Sequence, residues 1–189
     1  MIRIAVVGDV GAGKSHIAKL FKLPIFNADL EVAKIYKTNK KCFSKLKKNL
    51  PKYFSLFPAK KKEVIKAIVY NESNLKKITK IIHPEIRKKL NIFLKNHKKE
   101  KAIILDIPLL LENKLNKKGD IIIFIQSKKK EIIKRLKKRD NFNLDLLNKF
   151  KRIQLPMNYK KKKSNFIIKN DFTNKSAKTT VRKTLKEIL

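Results

Sequence analysis

One cysteine, Cys42, occurs in 189 residues, so no internal disulfide can form and a reducing, cytoplasmic setting is the expectation. No run of 18 apolar residues interrupts the chain, which argues against a membrane-spanning helix and any membrane partner. An apolar strand pattern starts at Ile2, so no leader peptide is expected. Glycine is scarce, with four residues, and neither a Ser/Gly linker nor an internal repeat marks a boundary. A single domain over residues 1–189 is therefore expected, and 42% hydrophobic residues suffice for its core. The histidines His83 and His97 have no metal-ligand spacing, so histidine metal binding is not expected.

Acidic residues are scarcer still, 15 against 50 Lys+Arg, for a formal charge of +35. Such an excess invites a nucleic-acid reading. Six of the 50 are arginine (Arg3, Arg87, Arg135, Arg139, Arg152 and Arg182), leaving 44 lysines, whereas base-edge recognition favours arginine. The lysines are spread along the whole chain with many Ile and Asn, as in a compositional bias, and no aromatic stacking motif accompanies them. No specific nucleic-acid partner is expected, although the charge would steer polyanions such as nucleotides.

What is present begins at Ile2. The β-branched run Ile2–Val7 feeds Gly8-Asp9-Val10-Gly11-Ala12-Gly13-Lys14-Ser15, and an amphipathic segment follows through Leu20. The turn fits G-x-x-x-x-G-K-[ST] in the strand-before, helix-after context the motif requires. Glycines at 8 and 13 let the backbone turn tightly and approach phosphate, and successive N–H groups with the next helix N-terminus form an anion cradle. Lys14 can reach the β- and γ-phosphates, and the Ser15 hydroxyl can ligate Mg²⁺.

Downstream, strands alternate with helices, which predicts an α/β fold with a parallel sheet flanked by helices. Strands are expected at Ile25–Asn27, Ala102–Asp106, Asp120–Ile125 and Asn165–Ile168. Helices are expected at Glu31–Tyr36, Lys41–Leu50, Ala59–Asn71, Ser73–His97 with a break at His83-Pro84, Lys128–Asp140, Asn143–Gln154 and Thr173–Leu189. About sixty helical residues between the second and third strands exceed a plain crossover, so an inserted helical subdomain is expected there. Ligands of open α/β sheets bind at the carboxyl ends of the strands. Asp29 and Asp106 converge on that edge with the loop. Asp29 could orient an acceptor hydroxyl and take its proton, or simply cap a helix. Asp106 could hold Mg²⁺ directly or through water, or cap a turn. The basic stretch carrying Arg135, Arg139 and Arg152 could form a lid, and most of its lysines read as a solvated face.

These motifs together resemble the dephospho-CoA kinase family. Asn27-Ala28-Asp29 is similar to its Asp-Ala-Asp, His83-Pro84-Glu85-Ile86-Arg87 to its His-Pro-x-Ile-Arg, and Asp106–Glu112 to its Asp-x-Pro-Leu-Leu-x-Glu. Arg139-Asp140 matches the lid Arg-Asp, and Gln154, Lys160 and Asn165–Asn170 match a C-terminal stretch. The resemblance runs from Ile2 to about Asn170. It implies a P-loop NTPase fold with core 1–29, 100–127 and 163–189, an acceptor-binding helical insertion at about 30–99, and a lid at about 128–162. It also implies transfer of the ATP γ-phosphate to the ribose 3′-hydroxyl of dephospho-CoA. Gly8, Gly11, Ala12, Gly13, Lys14, Ser15 and His16 would hold ATP and Mg²⁺. Asp29 would be the base, with Lys14 and Arg139 neutralising charge in the transition state. His83 and Arg87 would bind the acceptor, while Asp106, Pro108, Leu109 and Glu112 would shape its site. Asn170 would lie near the adenine. Asn27 and Asn165 stand where the family has Asp, and on this reading a supporting charge near Mg²⁺ is absent. A monomer is expected, with an oligomer as the alternative. The competing readings are another small-molecule kinase, which an acceptor panel would separate, and a nucleic-acid-stimulated ATPase.

Overall fold

The computed structural model describes residues 1–138 and 142–189. The three long apolar runs become strands β1 (Ile2–Gly8), β3 (Ala102–Asp106) and β4 (Ile121–Gln126), as fits strands covered on both faces. Two shorter strands, β2 (Ile25–Asn27) and β5 (Phe166–Lys169), complete a five-stranded sheet of order β2-β3-β1-β4-β5. Every pairing is parallel. Ile4 is in register with Ile104 on one side and with Ile121 on the other, so β1 is the middle strand. Ile4–Val7, Ala102–Leu105 and Ile122–Ile125 are buried.

The described residues divide into two compact units. The first comprises Met1–Asn27, His97–Asn143 and Ile153–Leu189. It holds the sheet with helices α1 (Lys14–Leu20), α6 (Lys129–Lys137), α8 (Met157–Lys162) and α9 (Asn174–Ile188). Helix α1 packs on β1, β2 and β3, α9 packs on α1 and β5, and α8 packs on β1. The second unit, Ala28–Asn96 with Leu144–Arg152, is helical. It contains α2 (Ala28–Thr38), α3 (Lys40–Asn49), α4 (Lys61–Tyr70), α5 (Glu72–Asn96) and α7 (Leu144–Ile153). Among the described residues, no helix is long and apolar enough to cross a membrane.

Two sequence expectations are corrected. Helix α5 runs without interruption through Pro84, where a break is expected. Ile78, Ile82 and Ile86, four residues apart, are buried along one face, and this continuous packing outweighs the one backbone donor that proline removes. Helix α2 starts at Ala28, directly at the end of β2, so Asp29 lies inside its first turn rather than ahead of it. The stretch 128–162, expected as a lid, is divided between the units. Helix α6 packs on the phosphate loop, as described below, whereas α7 joins the second unit, where Lys149 Nζ donates to the Ile68 carbonyl at 3.1 Å.

Candidate active site

The phosphate loop joins β1 to α1 at the carboxyl edge of the sheet. A Cβ on Gly8 (φ 148°) would stand 2.6 Å from the Ile125 carbonyl oxygen, so this position accepts only glycine if β1 and β4 are to pair. Gly13 (φ 89°) ends the loop in the left-handed region as the N-cap of α1, and a Cβ there would run into the Asn170 amide. No side chain caps α1 and no carboxylate sits in its first turn, which leaves its positive end to an anion. Within the loop, Val10 N donates to Asp9 Oδ1 at 2.7 Å and Ala12 N to the Asp9 carbonyl at 3.2 Å. The Lys14 ammonium folds over the loop and donates to the carbonyls of Asp9 (2.8 Å) and Gly8 (3.2 Å). Ser15 and His16 are exposed at the start of α1.

Two residues from the neighbouring strand ends brace this loop. Ser127 Oγ and Asn170 Nδ2 both donate to the Ala12 carbonyl, at 3.0 and 2.9 Å. Asn170 is 3% exposed, and its Oδ1 accepts the Phe172 N–H at 3.0 Å. Asn170, expected near the adenine, thus has both ends of its amide engaged inside the protein. Leu136 and Ile132 of α6 cover Gly11. Arg135 of α6 lies over the Phe172 ring at 4.4 Å, and Phe172 holds φ 66° close to Gly13. That pair presents a cation and an aromatic face beside the loop.

At the ends of β2 and β3, Asn27 and Asp106 are register partners, and Asn27 Nδ2 donates to Asp106 Oδ2 at 2.6 Å. Asp106 is buried. The chain then turns through Pro108, which is exposed, and Leu109, which is half-buried with φ 56°. Glu112, expected to shape the acceptor site, is turned inward. Its Oε1 meets Lys160 Nζ at 2.6 Å and accepts the Leu155 N–H at 3.1 Å.

The remaining expected residues lie in the helical unit or outside the described residues. Asp29 is an exposed member of the first turn of α2, a position that suits a carboxylate. His83 and Arg87 are one turn apart on α5, the former half-buried and the latter exposed. Burial, with the Arg87 charge adding to it, pushes the His83 pKa below the usual histidine value. Arg139 lies outside the described residues. The structure thus gathers Gly8–His16, Asp106–Leu109 and Asn170 in one unit, with Asp29, His83 and Arg87 in the other. Ser127, Phe172 and the buried partner role of Lys160 are not marked in the sequence by any chemistry local to them.

A parallel sheet whose central first strand feeds a braced phosphate loop defines the P-loop nucleotide-binding fold, here with an inserted helical unit. The family model described as dephospho-CoA kinase matches residues 2–176. A dephospho-CoA kinase from Wolbachia sp. subsp. Brugia malayi (strain TRS) is 33% identical over 172 residues, 87% of each chain. This chain belongs to the dephospho-CoA kinase family. Its fold is similar to a crystal structure from Thermus thermophilus (TM-score 0.78, 21% identity, 100% of this chain and 98% of that one). It is also similar to the dephospho-CoA kinase from Campylobacter jejuni (TM-score 0.66, 24% identity, 98% and 96%).

Proposed function

We propose that this chain transfers the γ-phosphate of ATP to the ribose 3′-hydroxyl of dephospho-CoA, giving CoA and ADP, in the cytoplasm. The observation that carries the reading is the braced phosphate loop at the same sheet edge as the buried Asp106, in a chain of this family. The backbone N–H groups of Gly11–Ser15 would hold the phosphates, and His16 would extend that contact. Lys14 would exchange its loop carbonyls for β- and γ-phosphate oxygens and neutralise the charge that builds in the transition state. Arg139 would add a second positive charge. Asp29 would orient the 3′-hydroxyl and accept its proton. His83 would hydrogen-bond the acceptor, and Arg87 would meet its phosphates. Pro108 and Leu109 would form the acceptor's rim.

The donor set suits Mg²⁺. Ser15 Oγ and the carboxylate of Asp106 are hard oxygen ligands, and a divalent ion that keeps several waters needs few protein ligands beside the substrate phosphates. Asn27 donates to Asp106 Oδ2, and the Asp106 carboxylate would hold the ion directly or through water. Bound there, the ion would neutralise charge between the β- and γ-phosphates.

The test is incubation of the folded protein with Mg-ATP and dephospho-CoA while ADP and CoA are followed. Absence of turnover dependent on dephospho-CoA refutes the proposal. Asp29→Asn should lower kcat roughly 10²–10⁴-fold with ATP binding retained, as for loss of a general base. A loss of only a few-fold would remove Asp29 from that role.

A further inference from the structure

Of the 44 lysines, Lys160 stands apart because it is 3% exposed. Taking an ammonium out of water is unfavourable unless a well-placed counter-charge and further hydrogen bonds compensate. Here the counter-charge is Glu112 at 2.6 Å, and the same oxygen also accepts the Leu155 N–H at 3.1 Å. Glu112 belongs to the turn that leaves β3 directly after Asp106. That turn holds two non-glycine residues in the left-handed region, Leu109 (φ 56°) and Lys114 (φ 51°). Such conformations persist only where their surroundings over-determine them. The local ties are clear. The Leu109 carbonyl accepts both Asn113 N and Asn113 Nδ2 at 3.0 Å, and Leu115 N donates to the Leu110 carbonyl at 3.0 Å. Polar ties to a distant element run through Glu112, to the Lys160 ammonium and the Leu155 N–H. Lys160 sits on α8, which packs on β1, the strand that delivers the phosphate loop.

We infer that Lys160 is a positioning residue for the phosphoryl acceptor. Through Glu112 it fixes the strained rim at Pro108 and Leu109 to the frame that carries the loop. It touches neither nucleotide nor acceptor. The inference rests on the proposed function, which makes the edge beside Asp106 the acceptor side.

Steady-state kinetics of the full chain, with ATP and dephospho-CoA varied separately, test it. In Lys160→Met, kcat/KM for dephospho-CoA should fall about 10- to 100-fold, the scale of a rim displaced by about an ångström, with KM for ATP changed less than about twofold. Lys160→Arg, which keeps the ion pair, should recover most of the loss. Equal effects on both substrates, or an unchanged acceptor constant with a lowered melting temperature, would reduce the pair to a structural role and overturn the inference. Should Lys160→Met not fold, Glu112→Gln carries the same test with the same kinetic split. It adds hydrogen exchange at the Asn113 and Leu115 amides, which should quicken if the pair holds the turn and stay unchanged if it does not. A folded wild-type chain that binds ATP but makes no CoA removes the functional reading, and this inference with it. A wild-type chain that makes CoA while Lys160→Met keeps its acceptor constant removes this inference alone.

Discussion

Asn170→Ala separates two tasks that one buried amide could serve. The side chain gives one hydrogen to the Ala12 carbonyl at 2.9 Å and accepts one from the Phe172 N–H at 3.0 Å. Truncation leaves Ala12 O with its second donor, Ser127 Oγ, so the loss on that side is one hydrogen bond of about 1 kcal/mol. The Phe172 N–H loses its side-chain acceptor, which costs about 1–3 kcal/mol where water cannot replace it. The sum, about 2–4 kcal/mol, corresponds to a melting temperature lower by roughly 5–15 °C for a chain of this size. Asn170→Asp should be worse than Asn170→Ala, because a carboxylate would face the Ala12 carbonyl that the amide now binds. Urea unfolding reads both effects. The functional consequence is read by comparing ATP with GTP as phosphate donors. If Asn170 acts by shaping the loop, both donors lose efficiency by a similar factor, because the loop holds phosphates and is indifferent to the base. A loss for ATP more than about tenfold greater than for GTP, equivalent to about 1.4 kcal/mol, would refute the bracing argument and make Asn170 a reader of adenine.

Two further outcomes are expected. Asn27→Ala removes the amide that donates to the buried Asp106 carboxylate at 2.6 Å and should cost about 1.5–3 kcal/mol, the range for hydrogen bonds to charged groups, measured by urea unfolding at neutral pH. His83 supplies a pH test: burial and then Arg87 lower its folded pKa, so the unfolded chain binds the proton more readily. Stability linked to His83 is therefore present above its unfolded pKa, about 6.5, and is lost as pH falls towards the lower folded value. His83→Gln should show a smaller loss of unfolding free energy between about pH 7 and pH 5 than the wild type, and parallel curves would refute the burial argument.

The sheet could be read from sequence because its strands are nearly pure apolar runs. Ala102–Leu105 cannot avoid burial, and glycines at 8, 11 and 13 with Lys14 and Ser15 have few other physical uses in that order. What escaped reading depends on tertiary context. Pro84 breaks a helix by local preference, but three isoleucines on one face of α5 hold it together. Helix α8 shows little apolar periodicity, and although its anchor Lys160 matches a family motif, nothing in the sequence shows that it is buried against Glu112. Ser127 and Asn170 meet Ala12 only once β4 has paired with β1 and β5 with β4. Glu112 and Asn170 were both recognisable as family motif positions, but their sequence context does not show that each points into the protein.

The order of the sheet also bears on how the protein is made. Strand β1 and the phosphate loop are synthesised ahead of the strands that flank them, since both neighbours of β1 come from beyond residue 100. The Ala12 carbonyl waits for Asn170, 158 positions later. At about 5–20 residues per second, that interval is roughly 10–30 s on the ribosome. Meanwhile the helices of Ala28–Asn96 are complete and make much of their packing with one another, as α2, α3 and α4 do with α5. A nascent chain halted before Asn170 would carry the whole phosphate-binding motif without the Asn170 contact, the later of the two that brace it. Possession of the motif and possession of a fully braced loop are thus separated in time, and a truncated product could carry the phosphate-binding motif of residues 8–15 while lacking the Asn170 brace on its loop.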